Sequence, residues 1–488
     1  MEGLPGEREW QSLGTGGRRE NLSSLVQAAP AARGAVPPPP LPRSAWCWAA
    51  FEGFRNPGVV LITIYVFMPY YVQAVAATPV EGQALVARAG QIAGWAVALT
   101  APLMGMVVDR LGPRKPGLTL VVAGMIPLFW ALWFVTPGGP VTPAMVMAII
   151  VGKSILFAWS EVLHNALLVP AAHGQVSRTS GLGLALGNAT SVAFLLFVLL
   201  AFSLPGQVDW PFVPAQPLFG VDQAAYEPAR LTGPIVAVSL AIGLALILWG
   251  VPDAPATGER LGSALKKGFA DLTAMLRELK TEREAAKFLA ARMLYVDGKT
   301  AILLFSGVLA AGTMGWKTLE MLAYGIILSI LAVAGGLLAG RLDSRLGPRN
   351  AVLLEIAVTA VALLCLLGTR PDMAGWIPVS TLPLHDGPMF RTPAELAFIG
   401  FAGVSAISIT AAYASSRTLL TVLVRPERAG TFFGLYALSG TATMWLGPML
   451  VAWGTIASGS QQGGFATVLA LLLAGFALLL TVKVPRHH

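Results

Sequence analysis

The sequence predicts an all-α polytopic membrane protein with twelve transmembrane helices arranged in two six-helix halves. Only 12% of its 488 residues are charged and 55% are hydrophobic, whereas a soluble domain carries about 25% charged residues. Apolar runs of about 20 residues, long enough for a helix to cross a bilayer, recur along the chain. They lack the polar and apolar alternation of barrel strands, and helices are the other structure that satisfies the backbone in lipid.

Twelve apolar runs are candidate spans. They cover residues 57–77, 84–108, 117–136, 142–169, 179–204, 232–251, 285–312, 319–341, 350–368, 394–424, 430–458 and 464–484. The two cysteines, Cys47 and Cys365, are far apart, and Cys365 lies within a span. We therefore expect no disulfide framework, no CxxC metal site and no cofactor.

The formal net charge of +8 indicates orientation in a membrane better than it indicates nucleic-acid binding. Basic residues gather in alternate loops, namely Arg110, Arg114 and Lys115; Arg178; Arg260, Lys266, Lys267, Arg277, Lys280 and Arg283; Arg341, Arg345 and Arg349; Arg425 and Arg428. The positive-inside rule then predicts that both termini are cytoplasmic. Arginine outnumbers lysine 24 to 9, which favours a GC-rich bacterial genome and hence a bacterial inner membrane.

The predicted organisation has four parts. Residues 1–43 are rich in Gly, Arg and Pro and read as a disordered cytoplasmic tail; residues 44–251 and 285–488 are the two six-helix halves. Between the halves, residues 252–284 carry apolar residues at helical spacing among charges. This pattern predicts an amphipathic helix on the membrane surface, with a solvated linker as the alternative.

Two internal repeats support the division into halves. The stretch GMVVDRLGPRK (105–115) matches GRLDSRLGPRN (340–350) at an offset of 235, and GLGLALGNAT (181–190) matches GLYALSGTAT (434–443) at an offset of 253. Loop 2–3 thus corresponds to loop 8–9, and span five to span eleven. We infer a six-plus-six duplication with parallel halves related by an axis along the membrane normal.

The pattern Gly-x-x-x-Asp-Arg-x-Gly-x-Arg-Lys after span two resembles the signature loop of the major facilitator superfamily. WAAFEGFRNP (48–57), SRTSGLGLALG (177–187), LYVDGKTAILLFSGVLAAGTMG (294–315) and FFGLYALSGTATMWLGPML (432–450) resemble the vacuole effluxer family of autophagy-linked vacuolar amino-acid exporters and their bacterial relatives. The resemblance implies the major facilitator fold and solute export. It also gives helix-packing roles to span-eleven residues: Gly434, Tyr436, Ser439, Gly440, Gly447 and Pro448.

The sequence departs from that family at three places where solute or ion contacts are expected. The family usually has Asp-aromatic-Ala-Asn at the start of span one, where this chain has Glu52, Gly53, Phe54 and Arg55. Lys299 follows the Asp-Gly of span seven, where the family tends to be apolar. In span four, the tyrosine that the family places before Asn-Ala is His164 here.

The charged loop after span two is the predicted conformational gate. The resemblance implies that Asp109 contacts the start of span eleven near 430–434 when the cytoplasmic side is shut, and a carboxylate at a helix N-terminus is worth about 0.3–2 kcal/mol. The gate residues of this copy are Gly105, Asp109, Arg110, Gly112, Arg114 and Lys115. The glycines would allow close approach and a tight turn, and the basic residues would hold the loop against the other half. The alternative is a plain topology anchor.

The second copy of the loop is predicted to be the weaker gate. Ser344 occupies the position of Asp109, and Asp343 is displaced by one residue, about 100° around a helix. The remaining candidate residues of this copy are Gly340, Arg345, Gly347 and Arg349.

Ionisable residues inside spans are costly and are therefore functional candidates. The predicted solute or proton pathway comprises Glu52, Arg55, Glu161, His164, Asn165, Arg292, Asp297, Lys299 and Arg417. Lys153 lies in the same span as Glu161, and His164 aligns with Arg417 at the offset of 253. We expect Glu320, Glu355 and Glu395, closer to span ends, to face headgroups.

Two chemistries are expected from these residues. Glu161 and His164, three residues apart on one helix face, favour proton transfer near neutral pH. Asp297 with Arg292 or Arg417 favours binding of a zwitterion. Internal pairing that only fixes helix packing is the alternative for all of them.

The sequence excludes nucleotide-driven pumping and enzymatic catalysis. The GKS and GKT triplets at 152–154 and 298–300 lack the first glycine of a phosphate-binding loop, since Met147 and Met293 stand there. The predicted function is a proton-coupled secondary transporter that exports a small polar solute, amino acids being the favoured class. Its partners would be the lipid bilayer, the solute and protons. The alternatives are a transporter-like sensor or partner subunit without flux, and a lipid flippase.

Overall fold

The computed structural model describes residues 40–253, 255, 257–280, 282–424 and 429–484. Side chains of Met106, Asp109, Ser177, Leu261 and residues 429–431 lie outside that description, and so does the predicted N-terminal tail up to residue 39. The statements below concern the described part alone.

Twelve helices in this part are long and apolar enough to cross a membrane, which confirms the predicted helical fold. We number them in chain order as α1 Arg43–Val75, α2 Pro79–Gly105, α3 Lys115–Phe134, α4 Pro143–Ala166, α5 Arg178–Ser203, α6 Glu227–Gly250, α7 Arg283–Met314, α8 Thr318–Leu346, α9 Pro348–Leu367, α10 Pro393–Leu423, α11 Phe432–Ser458 and α12 Gln461–Leu480. The helix of α2 continues to Leu111, and that of α5 begins at Val176.

Other elements are short. A linker helix, Leu261–Glu278, joins the halves, and a short helix, Leu168–Ala172, follows α4. Met373–Ala374 and Ile377–Pro378 form a small antiparallel hairpin between α9 and α10, in which Met373 pairs with Pro378. We call the membrane face that carries the linker helix the linker side, and the opposite face the far side.

Threonine and proline set where several helices begin on the far side. Thr78, Thr142 and Thr392 each stand just before α2, α4 and α10, and their side-chain oxygens accept hydrogen bonds from backbone N–H groups three residues later. A proline follows each threonine; its missing N–H costs nothing in the first turn. Such caps satisfy donors that lipid cannot.

Two spanning helices are irregular. In α1, π-helical stretches at Gly58–Tyr65 and Tyr71–Val75 follow the α-helical Arg43–Arg55. In α11, turns at 442–445 separate Ala429–Thr441 from Leu446–Ser458. Because π-bulges and broken spans commonly occur at functional sites, both interruptions direct attention to the region where α1, α7 and α11 meet.

The halves are packed together mainly toward the far side. The Gln83 side-chain amide donates to Thr455 Oγ1 at 2.7 Å and to the Gln461 carbonyl at 3.1 Å. Deeper in the bundle, Trp95 of α2 stacks on Trp445 of α11 with ring centroids 4.0 Å apart. Gly94 permits this contact, because a side chain there would meet the Trp445 backbone. These bonds join the halves on the far side.

The linker-side ends of α5 and α8 make no comparable contact. A Cβ placed at Gly181 of α5, or at Gly336 or Gly340 of α8, would have no other heavy atom within 4 Å. On the far side, by contrast, Gly325 of α8 packs directly on the Tyr65 ring and on Leu195 of α5. Between α5 and α8, the described packing is therefore close on the far side, and these three glycines have open space beside them toward the linker side.

Candidate functional site

A central cavity of about 240 Å³ lies between the two halves. Residues of α1, α2 and α4 from one half, and of α7 and α11 from the other, form its wall. Most of the wall is apolar, and its polar groups are few: Thr63, Lys153, Ser154, Glu161 and Thr300. Ligand sites of membrane transporters combine an apolar wall with a few placed polar groups in this way.

A cluster of four ionisable residues, Glu52, Arg55, Glu161 and His164, joins α1 to α4. Arg55 Nη2 lies 2.7 Å from Glu52 Oε2, and Arg55 Nη1 lies 3.8 Å from Glu161 Oε2. His164 Nδ1 lies 3.4 Å from Glu52 Oε2. The Arg55 side chain is 4% exposed and that of Glu161 is 55% exposed, so the cluster presents a carboxylate to the cavity and keeps the guanidinium behind it.

His164 is buried away from the cavity. Its ring stacks on Trp48 at 4.2 Å, and its Nε2 lies 2.9 Å from the Trp48 carbonyl oxygen. Trp48 Nε1 donates in return to the His164 carbonyl at 2.8 Å. The expected direct pair of Glu161 and His164 is not formed, because Glu52 and Arg55 stand between them. Asn165, the neighbouring candidate, is exposed.

Lys153 approaches the cavity from the same helix as Glu161. Its side chain is nearly buried and its Nζ donates to Thr63 Oγ1 of α1 at 3.0 Å. Eight residues separate Lys153 from Glu161, which corresponds to about 12 Å along a helix axis. The cavity therefore carries an ammonium at one end of its α4 wall and a carboxylate at the other.

In the other half, Arg292 and Asp297 bind α7 to the broken helix α11. Asp297 Oδ2 accepts the Gly447 N–H at 2.6 Å, at the first turn of the Leu446–Ser458 segment. Arg292 Nη1 donates to the Tyr436 carbonyl at 2.7 Å and to Ser439 Oγ at 2.6 Å, and the guanidinium lies 3.5 Å from the Tyr436 ring centroid.

The predicted grouping of Asp297 with Arg292 or Arg417 is not found. Asp297 bonds to helix backbone, which draws a carboxylate because the N-terminal N–H groups are unpaired and positively polarised. Arg292 is held by Tyr436 and Ser439. Arg417 is exposed, whereas His164, with which it aligns at the offset of 253, is buried.

The span-eleven residues expected to pack helices do so around these bonds. Gly440 lies against the Arg292 guanidinium, and Gly447 lies against Ala301 and the Asp297 carbonyl. Pro448 contacts Gly90 of α2. The remaining member, Gly434, faces Met275 of the linker helix.

Lys299 and Glu355 are the most enclosed basic and acidic side chains among the described residues of this half. Lys299 is 0% exposed and lies between the Tyr413 and Tyr295 rings, with Nζ 4.0 and 5.2 Å from their centroids. Glu355 is 2% exposed and accepts a hydrogen bond from Ser415 Oγ at 3.0 Å. The expectation that Glu355 faces headgroups was wrong, because it lies seven residues, about 10 Å, inside α9 from Pro348.

The other two glutamates assigned to headgroups cap the helix ends at which they lie. Glu320 Oε2 accepts the Lys317 N–H at 3.0 Å. Glu395 accepts the Thr392 N–H and the Trp316 indole N–H at 2.9 and 2.8 Å. Both serve the far-side ends of α8 and α10.

The described side-chain bonds between the α2–α3 loop and the rest of the chain include several to the linker segment, whereas the sequence predicted contacts with the opposite half. Arg110 Nη2 lies 2.5 Å from Asp271 Oδ2 of the linker helix, and this hydrogen bond raises the pKa of Arg110. The two Asp253 carboxylate oxygens accept the backbone N–H groups of Arg114 and Lys115 at 2.9 and 3.0 Å. Asp253 thereby caps α3, a role that the sequence pattern did not reveal.

The glycines of that loop have different roles. Gly112 has φ 99°, a left-handed conformation suited to glycine, as the predicted tight turn requires. Gly105 has ordinary space beside it, with Val162 3.7 Å from a Cβ placed there, so the expected close approach is absent. The Asp109 side chain lies outside the described part, and its predicted contact stays a prediction.

The second copy of the loop is bound differently. Gly347 repeats the left-handed turn with φ 77°. Arg349 donates to the Leu480 carbonyl at 2.7 Å, Ser344 donates to the Arg341 carbonyl within its own helix, and no described residue bonds to Asp343 Oδ1. Gly340 and Arg345 are exposed.

Solved structures share this architecture at low sequence identity. A variant of the nucleoside transporter NupG superposes with a TM-score of 0.63 at 13% identity, covering 90% of this chain and 98% of that one. A bacterial homolog of the human lysosomal transporter Spinster, in an inward-facing and unoccupied conformation, gives 0.58 at 17% identity, covering 90% and 96%.

Sequence comparisons identify the family. An uncharacterized MFS-type transporter, YxiO, of Bacillus subtilis (strain 168) is 19% identical over 445 residues, which span 88% of this chain and 93% of that protein. The family model described as Vacuole effluxer Atg22 like matches residues 171–488. The protein is therefore a membrane transporter of the MFS type, and it belongs to the Vacuole effluxer Atg22 like family.

Proposed function

We propose that this protein is a proton-coupled secondary transporter that exports a small zwitterionic solute of the amino-acid class by alternating access. Its cytoplasmic side would be the linker side, with both termini there, in a bacterial inner membrane. Residues 44–251 and 285–488 would move as the two halves, joined by 252–284. A conformation that is open on the linker side would then receive solute from the cytoplasm.

The observation that carries this proposal is the pair of opposite charges on the α4 wall. Glu161 presents its half-exposed carboxylate to the cavity, where it would accept the solute's ammonium. Lys153, held by Thr63 about 12 Å along the helix, would meet the solute's carboxylate. A solute that carries both charges neutralises both ends of the wall, whereas a singly charged or neutral solute leaves one end unpaired in a region of low dielectric.

Arg55 would stabilise the Glu161 carboxylate before the solute binds and after it leaves. The 3.8 Å separation of Arg55 Nη1 and Glu161 Oε2 is longer than a hydrogen bond, so Glu161 is free to bind another donor. Glu52 keeps the Arg55 charge paired when Glu161 turns to the solute. This arrangement limits the cost of exposing one charge as another is bound.

Flux in proteoliposomes tests the proposal. Purified protein would be reconstituted with a mixture of radiolabelled amino acids, and both counterflow and accumulation driven by a pH gradient would be measured. We expect counterflow of at least one amino acid, and a loss of about tenfold or more in E161Q and K153M. E81Q and K266M, which change exposed residues outside the cavity, serve as matched controls and should retain flux.

Two results would overturn the proposal. Absence of counterflow with every amino acid would remove the substrate class and favour the sensor or flippase reading. Undiminished counterflow in both E161Q and K153M would remove the cavity charges as the solute site.

A further inference from the structure

The Lys299 ammonium has an environment that packing alone does not require. Its side chain is 0% exposed, and its Nζ has no hydrogen-bond partner among the described residues. The faces of Tyr413 and Tyr295 are its nearest compensation, and a cation–π contact offsets only part of the cost of removing an ammonium from water. Burying a charge without a hydrogen bond is costly, so a methionine or leucine would pack here more favourably.

Glu355 is the carboxylate that shares this interior. Ser415 satisfies one of its oxygens, whereas Oε2 has no partner among the described residues. Ser416, next to Ser415 in the chain, shares a hydrogen bond of 2.8 Å with the Tyr295 hydroxyl, and the Tyr295 ring adjoins the Lys299 ammonium. The other charged residues of α7 and α8 near this interior include Arg292 and Asp343. Gln461–Leu480, the α12 helix packed on α7, contributes no titratable side chain. Glu355 thus has one carboxylate oxygen without a hydrogen bond, and Lys299 has an ammonium without one, among the described residues.

The Tyr413 and Tyr295 rings form a cage around the Lys299 ammonium. One hydrogen bond joins this cage to the wall of the solute cavity. Tyr413, whose ring covers the ammonium, shares a hydrogen bond of 3.1 Å between its Oη and Thr300 Oγ1. Thr300 lines the cavity, whereas Lys299 and Glu355 do not. A solute that takes the Thr300 hydroxyl as a partner would release Tyr413 and so alter the cage.

We infer that Lys299 and Glu355 form the proton-binding site that couples transport, separate from the solute cavity. This inference rests on the proposed function. Lys299 Nζ and Glu355 Oε2 have no hydrogen-bond partner among the described residues, so the coupling step begins when the release of Tyr413 lets the two groups meet. One N–H bond of the Lys299 ammonium then breaks, its electron pair stays on nitrogen, and Glu355 Oε2 takes the proton. The resulting carboxylic acid then releases the proton to water when its side of the protein opens. Lys299 takes a new proton from water in the opposite state, so each cycle moves one proton without redox change.

The test separates coupling from transport. In proteoliposomes with the amino-acid mixture, K299M and E355Q should keep counterflow within about twofold of wild type and lose at least tenfold in accumulation driven by a pH gradient. Proton movement reported by an entrapped pH-sensitive dye should fall in parallel. K287M, the same substitution at a half-exposed site on the same helix, should leave both measurements unchanged.

A second measurement does not depend on flux. Infrared spectra of the wild-type protein over a pH series should contain a protonated-carboxyl band that E355Q lacks and that K299M shifts in pH. A merely structural pair would give no such titrating band.

The outcomes are distinguishable. Gradient-driven accumulation in K299M or E355Q equal to wild type overturns the coupling site, and so does the absence of the infrared band. Wild-type counterflow without any response to a pH gradient overturns proton coupling and leaves the solute proposal standing. Absence of counterflow in the wild-type protein overturns the proposed function itself.

Discussion

The two halves handle buried charge in different ways. In the first half, Arg55 is paired with the carboxylates of Glu52 and Glu161, and His164 adjoins Glu52. In the second half, Asp297 and Arg292 bond to the backbone of α11, and Lys299 rests on aromatic faces. The first arrangement pairs its charges within one half and leaves one carboxylate, that of Glu161, facing the cavity. The second uses charge to fix α7 against a broken helix.

The largest expected effect tests the pairing in the first half. R55Q leaves Glu52 and Glu161 without their shared cation, and removal of one partner from a buried ion pair costs about 3–5 kcal/mol. We expect a clear fall in Tm in detergent, measured by intrinsic fluorescence, together with loss of amino-acid flux. The double variant E52Q/R55Q should recover most of the Tm; a double variant as unstable as R55Q would contradict mutual pairing.

Substitution of Asp297 is expected to cause an intermediate loss of stability, for a chemical reason different from that of R55Q. D297A removes the acceptor for the Gly447 N–H and the charge at a helix N-terminus, worth up to about 2 kcal/mol. D297N keeps an acceptor oxygen of similar size and should lose less than half as much stability. Equal losses of Tm in the two variants would show that the hydrogen bond to α11 carries none of the effect.

Substitutions in the two copies of the charged loop should have unequal effects on the conformational equilibrium. We predict that D109N weakens the state in which the linker side is closed by about 1 kcal/mol, a population change of about fivefold. Accessibility of single cysteines placed on each side, measured by thiol labelling, would report the shift. S344A in the second copy should leave labelling unchanged; an equal response would remove the distinction between the copies.

The smallest expected effect concerns Asp253. D253A uncaps α3 by removing both acceptors for the Arg114 and Lys115 N–H groups, at a cost of about 1 kcal/mol. Hydrogen exchange measured by mass spectrometry should rise in residues 111–118 and stay unchanged in 347–354, where the second loop has a different support. Unchanged exchange in the first loop would mean that Asp253 is not needed to hold it.

Hydropathy predicted the twelve helices because lipid permits few alternatives, and the repeated Gly-Pro-Arg turns predicted where α2 and α8 end. Hydropathy missed the first fourteen residues of α1, from Arg43 to Asn56, which include Glu52 and Arg55. Those two charges pair with each other within α1, but a scale that scores residues singly counts each as a separate charge and assigns the segment to a loop.

The candidate site was predicted as a set of residues but not as a set of partners. Glu161, Arg55 and Glu52 meet across two helices whose relative rotation depends on packing, which spacing along one helix does not reveal. Glu355 was expected to face headgroups because position along a span does not reveal which neighbouring helix covers a residue. Its partner Ser415 belongs to α10, and one sequence carries no sign of that contact.

The break in α11 has a mechanical consequence. At 442–445 the hydrogen bonds run from Met444 to Thr441 and from Leu446 to Thr443, so the regular ladder is already interrupted there and a bend costs little. The segment before the break follows α7 through Arg292, and the segment after it stays docked on α2 through Pro448. Asp297 holds the second segment on α7 as Arg292 holds the first, so α11 has an anchor on α7 on each side of a joint that its own hydrogen bonds do not stiffen.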